Sequence, residues 1–117
     1  MQEKKDNIIV NLTFQFAVEI IEYTEILEAQ RKYVIAKQLS RAGVSVGTNV
    51  REAQNAESKN DFIHKMKIAA KEADEVEFLL LVCNALKSYP KQLELLEKIR
   101  AIIKILSKII GTSKRNN

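Results

Sequence analysis

The sequence predicts an all-α fold, specifically an up-down-up-down antiparallel four-helix bundle. Its 117 residues include only three glycines and one proline, so few positions interrupt a helix. Apolar residues recur at intervals of three and four along four segments. The connections between these segments are short, which places consecutive helices antiparallel. We expect a single four-helix bundle domain over residues 1–117, with its core roughly over residues 8–110.

The four helices are predicted over residues 8–28, 31–54, 59–88 and 90–110. Their expected core stripes are Leu12, Phe16, Ile20, Tyr23 and Leu27 in the first; Ile35, Leu39, Ala42, Val46, Val50 and Ala53 in the second; Phe62, Met66, Ala69, Ala73, Val76, Leu80 and Cys83 in the third; Leu96, Ile99, Ile103, Leu106 and Ile110 in the fourth. Ser58 and Asp61 have the spacing of a capping box at the third helix. Pro90 suits the first turn of the fourth helix, and Gly111 suits its end.

Two segments are apolar on more than one face. Residues 78–83, FLLLVC, have no polar side, and the fourth helix adds a second set of apolar residues, Leu95, Ile102, Ile105 and Ile109. A small bundle buries one stripe per helix, so a second apolar face calls for a second partner. We expect a homo-oligomer; the alternative is a deeply buried fourth helix in a monomer.

The stretch QLSRAGVSVGTNVREA, residues 38–53, holds two of the three glycines, Gly43 and Gly47. Glycine next to hydroxyl residues is typical of a phosphate-binding loop, but such a loop follows a strand and has the pattern GxxxxGK[ST]. Here no strand precedes the glycines, and Ala42, Val46 and Val50 continue the helical period through them. We therefore predict a helix whose glycines let another helix approach closely, which offsets their cost of up to ~1 kcal/mol each.

The same stretch resembles the hallmark of the four helix bundle protein family, whose members are encoded by intervening sequences in bacterial 23S rRNA genes. That hallmark is commonly Q-L-x-R-A-x-x-S-I-x-x-N-I-x-E-G. The matching residues are Gln38, Leu39, Arg41, Ala42, Ser45, Asn49 and Glu52, with Val46 and Val50 as conservative changes. Ala53 stands where the family has its final glycine. A second stretch, SKNDFIHKMKIAAKEADE, is similar to the family's third helix at Asp61, Phe62, Ile68, Ala69, Lys71, Glu72, Ala73 and Glu75.

The resemblance covers roughly residues 8–110 and implies a four-helix bundle that is often a homopentamer. It also implies kinship with the accessory protein of diversity-generating retroelements, a basic pentameric barrel that binds nucleic acid and a reverse transcriptase. The expected partners are therefore further copies of the chain, RNA or DNA, and a reverse transcriptase. No catalytic residues come with the resemblance.

Several polar residues of the two motifs are predicted to form a structural polar layer between the second and third helices. These residues are Gln38, Arg41, Asn49, Glu52, Glu72 and Glu75. Antiparallel helices joined near residues 55–58 pair positions whose numbers sum to about 113. Arg41 then faces Glu72, while Gln38 faces Glu75 and Asn49 faces His64. A partly buried Arg–Glu pair fixes register more than it adds stability. The alternative is a polar site for a ligand or a partner.

Basic residues offer a candidate nucleic-acid surface. Residues 91–115 hold seven basic groups against two acidic ones, whereas the first helix carries Glu19, Glu22, Glu25 and Glu28. The candidate contacts to phosphate are Lys37, Arg41, Arg51, Lys98, Arg100, Lys104 and Lys108. Repetition around a ring would multiply a weak basic patch, and contact would be non-specific because stacking aromatics are not evident. The alternative function is a protein-binding scaffold with no nucleic-acid role.

Catalysis is not expected, and neither is a metal or a cofactor. Asp61-x-x-His64 has half the pattern of a di-iron bundle site, but the chain contains a single histidine. Ser45 lacks a recognisable base, and Cys83 lies in an apolar run where a thiol stays protonated. No apolar run approaches the ~20 residues needed to span a bilayer. The N-terminus lacks the pattern of a signal peptide, so we expect a cytoplasmic protein.

Overall fold

The computed structural model describes residues 7–116 and shows four α-helices. They are α1 (Ile8–Ala29), α2 (Tyr33–Ala53), α3 (Lys59–Ala85) and α4 (Leu93–Arg115). Each helix contacts the next one in the chain, and α4 returns to α1, which closes a four-helix bundle about 49 Å long and 21 Å wide. Residues 7–116 contain no strand. The all-α bundle prediction is confirmed.

One apolar cluster runs along the inside of the bundle. Its largest fully buried side chains include Phe16, Leu39, Met66, Leu80 and Ile99, contributed by all four helices. The predicted stripes are correct at most positions. The first stripe is wrong at Leu12, whose side chain is 39% exposed. The buried positions beside it are Ile9 and Thr13, because the inward face of α1 turns slightly away from the predicted one.

The fourth helix is buried more deeply than a single stripe would be. Leu95 and Ile102 were expected on a second, partner-facing surface, yet they are 3% and 2% exposed within one copy of the chain. Ile105 and Ile109 are partly buried against the same core. The second face of α4 therefore gives little support to an oligomer. The exposed apolar residues of the described chain lie instead mainly on α1, α2 and α3.

Gly43 and Gly47 lie inside α2, as predicted, where they bring α2 close to α1. A Cβ atom at Gly43 would lie 2.6 Å from Cγ2 of Ile20, and one at Gly47 would lie 3.2 Å from the carbonyl oxygen of Thr13. Both distances are shorter than ordinary contacts between carbon and its neighbours. The absence of two side chains thus sets how closely these helices approach.

The turn between α1 and α2 is only a few residues long. The amide of Lys32 donates to the carbonyl oxygen of Leu27, and that of Arg31 donates to Glu28, each at 2.9 Å. This pattern is the Schellman motif, which places one residue in the left-handed region. Arg31 occupies that position with φ of 65°, although glycine is the usual residue there. The tight turn makes α1 and α2 antiparallel neighbours.

The observed first residues of α3 and α4 can be compared with the starts predicted from the capping box and from Pro90. The hydroxyl of Ser58 accepts from the amide of Asp61 at 3.0 Å, so the predicted cap is confirmed. Pro90 was wrongly placed in α4, which begins at Leu93 after the capping residue Gln92. Residues before Gln92 are held in a loop, since the Asn84 amide oxygen accepts from the Gln92 amide at 2.7 Å.

Gly111 was expected to end α4, and this prediction is also wrong. The helix continues to Arg115, so Gly111 lies within its last two turns. Lys114 and Arg115 in the last turn favour the continuation, because cations stabilise the negative end of the helix dipole. The extension places two further basic side chains at one end of the bundle.

Candidate nucleic-acid interface

The borders between helices are lined by charged pairs, and Arg41 makes the most extensive set. Its guanidinium donates to Glu75 at 2.8 and 2.9 Å and to Glu72 at 3.3 Å. Glu75, followed by Glu72, raises the pKa of Arg41. The predicted Arg41–Glu72 pair is present, but Glu75 pairs with Arg41 rather than with Gln38. The Arg41 side chain is 57% exposed, whereas that of Glu72 is only 17% exposed, so the pair is partly buried at its Glu72 end and open to water at Arg41.

The rest of the predicted polar layer divides between two kinds of contact. The Asn49 amide donates to the carbonyl oxygen of Ser45 at 2.9 Å, one turn earlier in α2, and not to His64. An amide side chain within a helix reaches its own backbone more easily than a neighbouring helix. Glu52 does cross to α3, where it accepts from the Lys65 ammonium at 3.0 Å. Arg41 and Glu52 thus hold the α2–α3 border, whereas Asn49 does not.

Three of the seven basic residues proposed from sequence are already neutralised by carboxylates. Arg41 is paired as described, the Lys98 ammonium lies 2.8 Å from Glu19, and Nε of Arg100 lies 2.7 Å from Glu77. A paired cation presents little net charge to a phosphate. These three residues therefore act at helix borders, and the seven do not form one continuous surface.

Charge is separated along the axis of the bundle. We call the end where α1 begins and α4 ends the basic half; it comprises residues 7–18, 43–71 and 104–116 and holds nine basic and three acidic side chains. The remaining described residues, 19–42 and 72–103, hold eight basic and ten acidic ones. The net charges are thus +6 and −2. Lys37, Lys98 and Arg100 belong to the acidic half, while Arg51, Lys104 and Lys108 belong to the basic half.

One side of the basic half is formed by α3 and the end of α4. We call it the basic face; it contains Lys67, Lys104, Lys108, Lys114 and Arg115, all exposed. The Lys114 ammonium beside Lys67 lowers the pKa of Lys67. No carboxylate of residues 7–116 lies within 4 Å of any of the five.

Only Lys104 and Lys108 of the basic face were among the sequence candidates. Lys114 and Arg115 were missed because α4 was predicted to end near residue 110. Lys67 was missed because apolar spacing alone does not reveal which exposed side chains of α3 lie beside those of α4. The signal was available, since Arg115 follows Lys104 and Lys108 on the same side of a helix at 100° per residue.

Two ionisable side chains, Cys83 and Tyr23, lie in the apolar core of residues 7–116. Cys83 is fully buried, and burial raises the pKa of its thiol. The Tyr23 hydroxyl donates to the carbonyl oxygen of Pro90 at 2.8 Å, so it fastens the α3–α4 loop to α1. Nowhere in this part of the chain do three or more His, Cys, Asp or Glu side chains gather as metal ligands would. None of the helices formed by residues 7–116 is long and apolar enough to cross a membrane.

The fold and its surface define a helical-bundle protein with charged helix borders and a separated basic face. Residues 5–108 match the model of the 23S rRNA-intervening sequence protein family, and the chain belongs to that family. The predicted family resemblance is thereby confirmed. No curated protein matches the sequence.

A solved structure extends the comparison to three dimensions. The bundle is similar to the crystal structure of a protein of unknown function from the S23 ribosomal protein family of Bacteroides thetaiotaomicron VPI-5482. The two chains are 34% identical, with a TM-score of 0.81 over 87% of this chain and 97% of that one. Neither the family's description nor that of this neighbour names an enzymatic activity.

Proposed function

We propose that the protein is a non-enzymatic scaffold that associates with itself and binds RNA or DNA through the basic face. The observation that carries the proposal is the separation of charge, with a net charge of +6 in one half of a rod 49 Å long. A nucleic acid approaching the basic half meets attraction without the repulsion of the acidic half. Binding of this kind is governed by phosphate contacts and releases counterions.

The basic face favours contact with the phosphate backbone over the reading of bases. Its five cations are four lysines or arginines on α4 and one lysine on α3, and lysine is a flexible point charge. The five side chains are all cationic and contribute no aromatic ring on which a base could stack. The family's description refers to 23S rRNA, which makes RNA the first ligand to test.

Self-association would strengthen a surface of this modest size. Five cations support only weak binding at physiological salt, but repeated copies of the face bind one strand together. The pentamer implied by the family resemblance is the assembly we propose, in the cytoplasm, with a reverse transcriptase as a further partner of the same scaffold. The competing function is a scaffold for proteins alone, in which the basic face is merely solvated.

A titration of fluorescently labelled single-stranded RNA at several salt concentrations tests the proposal. The variant Lys104→Glu/Lys108→Glu reverses two charges of the basic face. The matched control Lys37→Glu/Lys87→Glu makes the same change in net charge at exposed lysines of the acidic half. We expect the first variant to bind at least ten-fold more weakly than the wild type, with a salt slope smaller by roughly one for each lost contact.

The control is expected to bind within about two-fold to three-fold of the wild type, because its lysines lie away from the basic face. An equal loss in both variants would show that net charge alone governs binding and would remove the basic face from the proposal. Wild-type protein that fails to bind RNA or DNA even at ~50 mM salt would leave the protein-only scaffold as the function.

A further inference from the structure

An apolar groove runs along the outside of the bundle between α1 and α2. Its volume is about 310 Å³, and its exposed walls include Phe14, Val18, Ile21 and Val44. Phe14 is 61% exposed, which is unusual for so large an apolar side chain. Residues 8–18 of α1 carry no charge, and on the groove side of this half Phe14 and Val18 expose apolar surface to water.

The floor of the groove follows from the close approach of the two helices. Gly47 and Ala17 line the bottom, where side chains are smallest. Arg51 lies one helical turn beyond Gly47 and is the only charged residue among residues 7–116 that lines the groove. The groove therefore has the shape to receive a protruding apolar side chain and a positive charge about 6 Å from its floor.

A protruding apolar surface of matching character lies on α3. Phe78 is 63% exposed and Leu81 is 42% exposed, three residues apart on the outer side of the helix. Asp74, also exposed, precedes Phe78 by one helical turn. We call these three residues the α3 ridge. The α3 ridge presents an aromatic ring and a negative charge with the same spacing that separates Gly47 from Arg51.

The groove and the α3 ridge lie on different sides of one bundle. The groove belongs to α1 and α2, and α3 contacts α2 and α4 but not α1 within the described residues. One copy of the chain therefore cannot fill its own groove with its own ridge. A contact between two grooves would leave the ridge exposed and would bring no carboxylate to Arg51.

We propose that the α3 ridge of one copy docks in the α1–α2 groove of the next copy. Phe78 enters between Phe14 and Val44, and Asp74 meets Arg51. Such a contact joins two different surfaces, so an open chain of copies keeps a free groove at one end and a free ridge at the other until a ring closes. The inference deepens the self-association in the proposed function by naming both surfaces. It does not depend on whether the assembly binds nucleic acid.

Two blocked variants test the docking. Val44→Glu puts a charge in the groove, and Phe78→Glu removes the ring from the ridge; both positions are exposed, so the bundle itself should remain folded by circular dichroism. Each variant alone is expected to have the mass of a monomer, 13.3 kDa, by light scattering. An equal mixture retains one intact groove and one intact ridge, so we expect dimers of about twice that mass and nothing larger.

The matched control is Val34→Glu, which adds the same charge at a 72% exposed valine of α2 outside the groove. It is expected to assemble as the wild type does. Charge exchange gives a second test: Arg51→Glu and Asp74→Arg should each weaken assembly at least ten-fold, and the double variant should restore it.

Three results would overturn the docking proposal. The first is a wild-type protein that is monomeric. The second is a Phe78→Glu variant that still assembles, because its assembly would indicate contact between two grooves. A mixture of the blocked variants that stays monomeric would remove it as well. The blocked variants retain Lys104 and Lys108, so their binding of labelled RNA reports on the proposed function separately.

Discussion

Replacing Gly43 by alanine tests whether the missing side chain sets the distance between α1 and α2. The new Cβ atom would lie 2.6 Å from Cγ2, 3.1 Å from Cγ1 and 3.3 Å from Cβ of Ile20. Ile20 is fully buried and β-branched, so its side chain has little freedom to move aside. The bundle must then separate α1 from α2 locally or hold Ile20 in a strained rotamer.

The expected loss follows from two opposing contributions. Overpacking a well-filled core costs about 1–3 kcal/mol, and three close contacts to one buried residue favour the upper part of that range. Alanine in place of glycine inside a helix returns about 1 kcal/mol. The net loss is therefore about 1–2 kcal/mol of the free energy of unfolding. For a chain of this length, that lowers the melting temperature by roughly 4–8 °C.

Gly111→Ala provides the matched control, since it makes the same chemical change in a helix with open surroundings. The nearest atom to its new Cβ would be Nη1 of Arg115, at 3.5 Å and on a flexible side chain. We expect Gly111→Ala to stabilise the protein by about 0.4–1 kcal/mol. Urea unfolding at one protein concentration measures both variants. If Gly43→Ala is as stable as Gly111→Ala, the steric explanation of the glycine is refuted.

Four further predictions concern single side chains. Arg31→Gly should raise stability by up to ~1 kcal/mol in urea unfolding, because glycine adopts the left-handed conformation at φ of 65° without strain. Tyr23→Phe should cost about 1 kcal/mol at pH 8 by removing the hydrogen bond to Pro90. Burial raises the pKa of Tyr23, so its contribution is complete below about pH 10 and falls as the pH rises; the Phe variant should therefore lose less stability above pH 10 than the wild type. Cys83 should resist iodoacetamide at pH 8 until urea unfolds the protein, and modification of the native protein at the rate of a free thiol would contradict its burial. Arg41→Ala should lower the melting temperature less than Gly43→Ala does, because the Arg41 guanidinium is largely in water. An equal or larger decrease in melting temperature would show that the Arg41–Glu72 pair contributes as a buried ion pair does.

Much of the fold follows from the spacing of apolar residues. Phe16, Leu39, Met66 and Leu106 each lie where a period of 3.6 residues places them, because the core must face one direction along each helix. The errors occur where tertiary contacts compete with local preference. Pro90 suits a first helical turn, yet Tyr23 and Asn84 hold the surrounding loop and delay the helix to Leu93.

The candidate site was harder to predict than the fold, because charge depends on partners that sequence spacing does not reveal. Lys98 and Arg100 belong to a basic segment of the sequence, yet Glu19 and Glu77 reach them from α1 and α3. Arg100, Lys104 and Lys108 follow one another at i, i+4 spacing on α4, and this row begins at an already paired residue. The sequence does predict the position of each charge along the bundle axis, and these positions separate the basic half from the acidic half.

The motif in α2 is better explained by packing than by chemistry. Gly43 and Gly47 face α1, where they admit Ile20 and the backbone of Thr13. Arg41 and Glu52 project toward α3, where each pairs with an opposite charge. Core residues of α2 lie between these two sides. The glycines of α2 therefore set its distance to α1, and its charged residues set its register with α3. The two charged residues that match the motif, Arg41 and Glu52, are thus occupied in holding the bundle. A ligand is better sought on the basic face, whose cations the bundle leaves directed toward solvent.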